Sequence, residues 1–142
     1  MNWITQYRTH ILKHAHLLEQ TSFSFLGEDD FSMKYTDGDV LISFSVERFS
    51  DSLDVLVEFL SDEQVDNHQY SLSMIIKVCS EQLSITTEMV ESEQDDENMV
   101  KGYIEFIVNN KDRCFGKVFR FASEYRERSH MIGLELIKQF GE

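Results

Sequence analysis

The apolar residues at the start of the chain recur at spacings of three and four. Ile4, Tyr7, Ile11, Ala15 and Leu18 fall on one stripe, the mark of an amphipathic helix over roughly residues 2–19. Asn2 is placed to cap it and Trp3 borders the stripe. Beyond residue 30 the period drops to two. Phe31, Met33 and Tyr35 alternate with Ser32 and Lys34. Val40, Ile42, Phe44 and Val46 alternate with Leu41, Ser43, Ser45 and Glu47, and Leu53, Val55, Val57 and Phe59 form a third alternating run. Asp37-Gly38 is a strong hairpin signal, because both residue types tolerate positive φ. A second turn covers Arg48 to Ser52. The pattern predicts a three-stranded antiparallel meander, four-stranded if Phe23 and Phe25 open the sheet rather than pack beneath it. One face is apolar. The other carries Ser32, Lys34, Ser43, Ser45, Glu47, Asp54 and Glu58 and reads as solvated, so helices are expected over the apolar face alone.

The second half returns to helical spacing. After a polar connection over 61–69, residues 70–83 fit two templates. Tyr70, Leu72, Met74, Ile76 and Val78 suit a strand; Leu72, Ile75, Ile76, Cys79 and Leu83 suit a helix. The length of the segment favours the helix, with Ser71 as its cap. Ser92-x-x-Asp95 resembles a capping box, which puts Asp95, Asp96 and Glu97 in a first turn where the helix dipole favours negative charge. Met99, Val100, Tyr103, Ile104, Ile107 and Val108 supply the buried side of that helix, and Asn109-Asn110 ends it. Asp112 is placed to cap a last helical region whose stripe runs through Phe115, Val118, Phe119, Ala122 and Tyr125, with Ile132, Leu136 and Phe140 beyond. No repeat or linker interrupts the chain. The expectation is an α+β fold in one domain, residues 1–142: an N-terminal helix, the meander, then two to four helices packed on one sheet face.

Composition narrows the class. A chain that is 42% hydrophobic, with no Pro and six Gly, is neither a disordered tail nor rich in irregular loops. Cys79 and Cys114 do not form a CxxC pair and are expected as free, buried thiols of a reduced compartment. The first twenty residues lack the apolar core of a signal peptide, and no segment approaches the roughly 20 apolar residues of a membrane span. The sequence thus predicts a soluble, cytoplasmic protein.

Charge changes the picture most. The net charge is −13. Residues 28–66 hold twelve acids against Lys34 and Arg48, a net of −10, and residues 81–97 hold seven acids and no base. Such a field repels nucleic acid and anionic membrane and attracts a basic protein. The expected contact residues are Glu28, Asp29, Asp30, Asp37, Asp39, Glu47, Asp51, Asp54, Glu58, Asp62, Glu63 and Asp66 in the first block, and Glu91, Glu93, Asp95, Asp96 and Glu97 in the second. Phe49, Tyr70 and Phe121 fall off the predicted stripes. They are either exposed anchors of a binding face or second-layer core.

Candidate chemistry is sparse. His10 and His14 have a usable metal spacing on a helix, but no HExxH or Cys/His pair accompanies them, and they read as boundary residues. Nucleophile elbow, Walker loop and dinucleotide fingerprint are absent from the sequence. Cys114 has Arg113 beside it, yet lies among apolar residues. ESEQDDEN, residues 91–98, has the acid density of a cation loop without the order or glycine of an EF-hand. No catalytic, metal-binding or cofactor-binding residue is assigned, and the chain is read as a non-enzyme.

The leading helix, the meander FSMKYTDGDVLISFSVERFSDSLDVLVEF and the helices ending in CFGKVFRFASEYRERSH give a layout that resembles small acidic bacterial immunity proteins, the inhibitors encoded beside polymorphic or contact-dependent-inhibition toxins. The resemblance implies a protein that neutralises a cognate toxin domain, expected to be a basic nuclease, by charge complementarity. Another stoichiometric inhibitor or DNA mimic, and a small-ligand protein or enzyme using the sheet face, stay open at this point.

Overall fold

The computed structural model describes residues 4–46, 53–60, 69–84, 96–115 and 121–130. The fold is α+β. Helix α1 (Thr5–Gln20) leads into strands β1 (Ser24–Glu28), β2 (Ser32–Thr36), β3 (Val40–Val46), β4 (Leu53–Phe59) and β5 (Gln69–Ser71). Helices α2 (Leu72–Leu83), α3 (Asp96–Asn109) and α4 (Lys111–Cys114) follow, and residues 122–130 are helical as well. The five strands form one antiparallel sheet in sequence order, β1-β2-β3-β4-β5.

Register explains which side chains meet. One face carries the rows Phe25–Tyr35–Ile42–Val57–Tyr70 and Glu28–Met33–Phe44–Val55. From Met33 and Tyr35 inward these residues are buried, in one cluster with Tyr7, Ile11, Ala15 and Leu18 of α1 and with Ile75, Ile76, Val100 and Ile104 of α2 and α3. The α1 stripe is thus the buried one that the spacing predicts. The first helix starts without a side-chain cap: Ile4 holds the cap position, and its N–H donates instead to the Asp30 carbonyl at 3.0 Å. Asn2 and Trp3 lie outside the described residues. That bond ties the start of α1 to the β1–β2 turn.

The sheet has two more strands than the alternation shows. Phe25 does open it, on the edge strand β1, whereas Phe23 precedes that strand and is buried. Tyr70 is the middle residue of β5, a strand of three residues that runs straight into α2. Ser71 takes the cap position of α2, but its hydroxyl approaches Asp54 and Ser73 rather than the helix N–H groups. The second sheet face is drier than expected. Ser43 is buried because the register sets this small side chain between Lys34 and Leu56, and Ser32 is buried with its hydroxyl on Asp29. Phe31, expected on the apolar face, precedes β2 and is exposed. Only Gly38 of the Asp37-Gly38 pair has positive φ, +96°.

The C-terminal stripe is also broken up. Asn110 holds the cap position of α4, so Asp112 lies inside that helix rather than before it. The helix ends at Cys114, and Phe115 has φ −121° and ψ 76°, outside helical values. Cys79 and Cys114 are buried thiols, not joined in a disulfide. The turn over 48–52, the box at Ser92 and residues 131–142 lie outside the described residues.

Candidate functional site

Strand β1 is one edge of the sheet among the described residues, and its most informative feature is a register shift. Phe25 pairs with Tyr35, but Gly27 pairs with Lys34 and Glu28 with Met33, so Leu26 is an extra residue in the strand. Without it Gly27 would face Met33. The bulge turns the following side chains over, as an inserted residue must in a period of two. Glu28 therefore points to the same side as Phe25, toward α1, and Leu26 is left 61% exposed. The opposite edge, β5, is closed: the Ser71 N–H donates to the Tyr125 hydroxyl at 2.9 Å, and the Tyr70 and Tyr125 rings meet edge to face at 4.8 Å.

Along α1 a second stripe runs beside the buried one. Arg8, Leu12, His16 and Glu19 are spaced by four, four and three and all face β1 across a groove of about 340 Å³. Ala15, Met33 and Tyr35 also line it, together with Phe25 and Glu28. Such a volume sits at the lower end of the roughly 300–1,000 Å³ typical of ligand sites. The Phe25 ring leans edge-on against Tyr35 at 5.5 Å, and Tyr35 in turn against Phe44 at 6.0 Å, so the aromatic wall is continuous with the core.

At one end of the groove the Arg8 guanidinium grips Glu28 with two bonds, Nε to Oε2 at 2.9 Å and Nη2 to Oε1 at 3.1 Å. That fork-on-fork geometry holds the Glu28 carboxyl below its ordinary range and raises Arg8 further. Burial pushes the Tyr35 phenol up, and the Glu19 and Glu28 carboxylates push it further. Both acids therefore act on the tyrosine wall. Glu19 itself has no ion-pair partner among the described residues. His16 is anchored through Nδ1, 3.2 Å from the Lys13 carbonyl.

Four apolar side chains are exposed around this edge: Phe25 at 47% and Leu12 at 45% line the groove, Leu26 sits in the bulge, and Phe31, at 37%, lies in the β1–β2 turn. Single exposed apolar residues are ordinary, whereas neighbours around one strand edge mark an interaction surface.

The acids expected to form a docking field divide into two uses. Several build the fold. Asp29 Oδ1 accepts from the N–H groups of Phe31 and Ser32 at 2.8 and 2.9 Å and from the Ser32 hydroxyl at 3.1 Å, and the first of these bonds leads in holding its carboxyl low. Asp37 Oδ1 likewise accepts from Asp39 and Val40 N–H, while its Oδ2 lies 3.5 Å from Lys111 Nζ. Asp96 accepts from Gln6 at 3.1 Å, and Glu97 pairs with Lys13 and approaches His14 Nε2 at 3.6 Å. These last contacts zip α1 to α3. Asp30 and Asp54 are exposed; Asp39 and Glu58 are partly so. Tyr70 is core rather than anchor, 3% exposed with its ring against Phe59 and Tyr125, and Phe121 is buried too. Glu47, Phe49, Asp51, Asp62, Glu63, Asp66, Glu91, Glu93 and Asp95 lie outside the described residues.

Among the described residues no three His, Cys, Asp or Glu side chains are grouped to hold a metal ion, and no helix is long and apolar enough to cross a membrane. His10 and His14 sit on the α1 flank toward Glu97. Comparison with protein-family models, curated proteins and solved structures yields no match.

Proposed function

We propose that this chain is a protein-binding inhibitor of the immunity type, which meets a basic toxin domain, of nuclease character, and holds it inactive in a stoichiometric complex. The observation that carries this reading is the β1 edge: Phe25 and Leu26 on the strand, Leu12 across the groove and Phe31 in the following turn are all exposed, with Glu19 and Glu28 lining the groove and Asp30 in the same turn. Hot spots of protein interfaces combine such apolar anchors with a charged rim. Completing the burial of Phe25 and Leu26, which are 47% and 61% exposed, would contribute on the order of 1 kcal/mol each. The carboxylates favour a cationic partner and speed its arrival.

The test is co-expression with the product of the gene next to its own, followed by purification and stopped-flow association. The expected outcome is relief of growth arrest, a one-to-one complex, and an on-rate that falls at least about tenfold from low to high salt. Absence of a complex, or an on-rate indifferent to salt, would overturn the proposal.

A further inference from the structure

We infer that the groove between α1 and β1 is a receptor for one lysine or arginine side chain of the protein partner, its apolar stem on the Phe25–Met33 wall and its charged head at Glu19. The inference rests on the binding reading above and adds the chemistry of the residue that the site takes.

The argument begins with charge. Of the carboxylates at the groove, Glu28 is occupied by the two bonds from Arg8. Glu19 has no such partner among the described residues, yet it acts on the Tyr35 phenol in the groove wall. With Glu19, Glu28 and Arg8 counted, the groove is negative by one. An anionic occupant would meet this charge directly. A neutral apolar occupant would take water away from Glu19 and give nothing back, a cost that buried carboxylates do not bear unpaired. A cation answers it.

The walls then select the kind of cation. The groove, of about 340 Å³, is lined by the buried Ala15, Met33 and Tyr35 and by the half-exposed Phe25. A long apolar stem with a charged tip fits a lining that combines Leu12, Ala15, Phe25 and Met33 with the carboxylate of Glu19. The aromatic wall adds attraction for a cation passing over a ring face. A small hydrated metal ion would gain nothing from methionine and phenylalanine. A second copy of this chain is disfavoured because it would bring another rim of Glu19, Glu28 and Asp30 to the first, in a molecule of net charge −13. Leu26, carried outward by the bulge beside the groove, lies where the partner's neighbouring residues would rest.

The experiment uses the whole chain with isotope-labelled methionine methyl groups and backbone amides. It is titrated with four probes: a capped Gly-Gly-Lys-Gly-Gly peptide, the same peptide with norleucine, the same with glutamate, and free n-butylamine. The lysine peptide is expected to shift the Met33 methyl and the Phe25 amide saturably, at roughly millimolar affinity. Norleucine should bind about threefold or more weakly, the weight of one part-exposed charge contact. Glutamate should not bind. Glu19→Gln should bring the lysine peptide down to the norleucine level while leaving the thermal midpoint in place, since Glu19 is exposed.

Equal binding of lysine and norleucine, or no saturable shift at the groove, would overturn the inference. So would n-butylamine binding as tightly as the peptide, which would make the site one for free amines. Shifts of the same signals on concentrating the chain alone would name a second copy as the occupant and overturn it equally. A neighbour-gene complex that forms with unchanged affinity in Glu19→Gln would sink this inference and leave the inhibitor reading standing. Lysine-selective binding by a chain that forms no such complex would do the reverse.

Discussion

Asp29 illustrates how a single carboxylate can look like surface charge and act as scaffold. One oxygen gathers three donors and sets the tight turn between β1 and β2. Asp37 sets the turn between β2 and β3 with two donors on one oxygen, and there Lys111 ties the turn to the end of α1 by donating to the Thr21 carbonyl and lying 5.2 Å from the centre of the Phe23 ring. Asp29→Ala should cost about 1–2 kcal/mol, read as a lower urea midpoint at neutral pH. The pH dependence has a definite sign. Hydrogen bonds from the Phe31 and Ser32 backbone hold the folded Asp29 carboxyl below the ordinary aspartate range, so its contribution is present above the unfolded value, about 4, and is lost as pH falls through the lower folded one. The stability gap between the native chain and Asp29→Ala should therefore close as the pH drops below about 4. A gap that widens on acidification would show that the turn does not depend on the charged form.

At the level of elements, the glycines of the sheet make a paired prediction. Gly38 has φ +96° in open surroundings, with nothing within 4 Å of where a Cβ would stand. Any cost of Gly38→Ala is therefore conformational, about 1 kcal/mol, because left-handed backbone disfavours a side chain. Gly27 has equally open surroundings without positive φ, so Gly27→Ala should be neutral or slightly stabilising by restricting the unfolded chain. Equilibrium urea unfolding of the two variants measures the difference directly. The same contrast shows what sequence could reveal. The α1 stripe and strands β2 to β4 were legible because each follows one period without interruption, 3.6 or 2. Strand β1 was legible only as one of two readings of Phe23 and Phe25, because Leu26 breaks the alternation and a bulge leaves no period to count. Strand β5 was not, because three residues run straight into a helix. The groove escaped for a related reason. Of its lining residues only Glu28 stood among the expected contacts, although Arg8, Leu12, His16 and Glu19 do keep helical spacing. A stripe adjoining the buried one reads as ordinary solvated surface until the strand beside it is known.

For the whole molecule, the acidity has two consequences of opposite sign. Charge engaged inside the fold, as at Arg8–Glu28, Lys13–Glu97 and Arg128–Glu81, sits in exposed or half-exposed pairs. Such pairs add little to stability and are screened by salt. The surplus of −13 remains on a compact body and repels itself, which destabilises the folded state relative to a more expanded one. Added salt should then stabilise the isolated chain, raising its thermal midpoint by a few degrees as ionic strength climbs toward about 0.5 M, where the screening length falls below 5 Å or so. The proposed complex should respond the other way, forming more slowly in the same buffers because the attraction that steers a cationic partner is screened. Scanning fluorimetry of the chain alone and stopped-flow association with its partner, run across one salt series, measure both. A thermal midpoint that falls with salt would mean that the ion pairs outweigh the repulsion. The negative charge would then belong chiefly to the fold, and the argument for an outward-facing field would lose its physical basis.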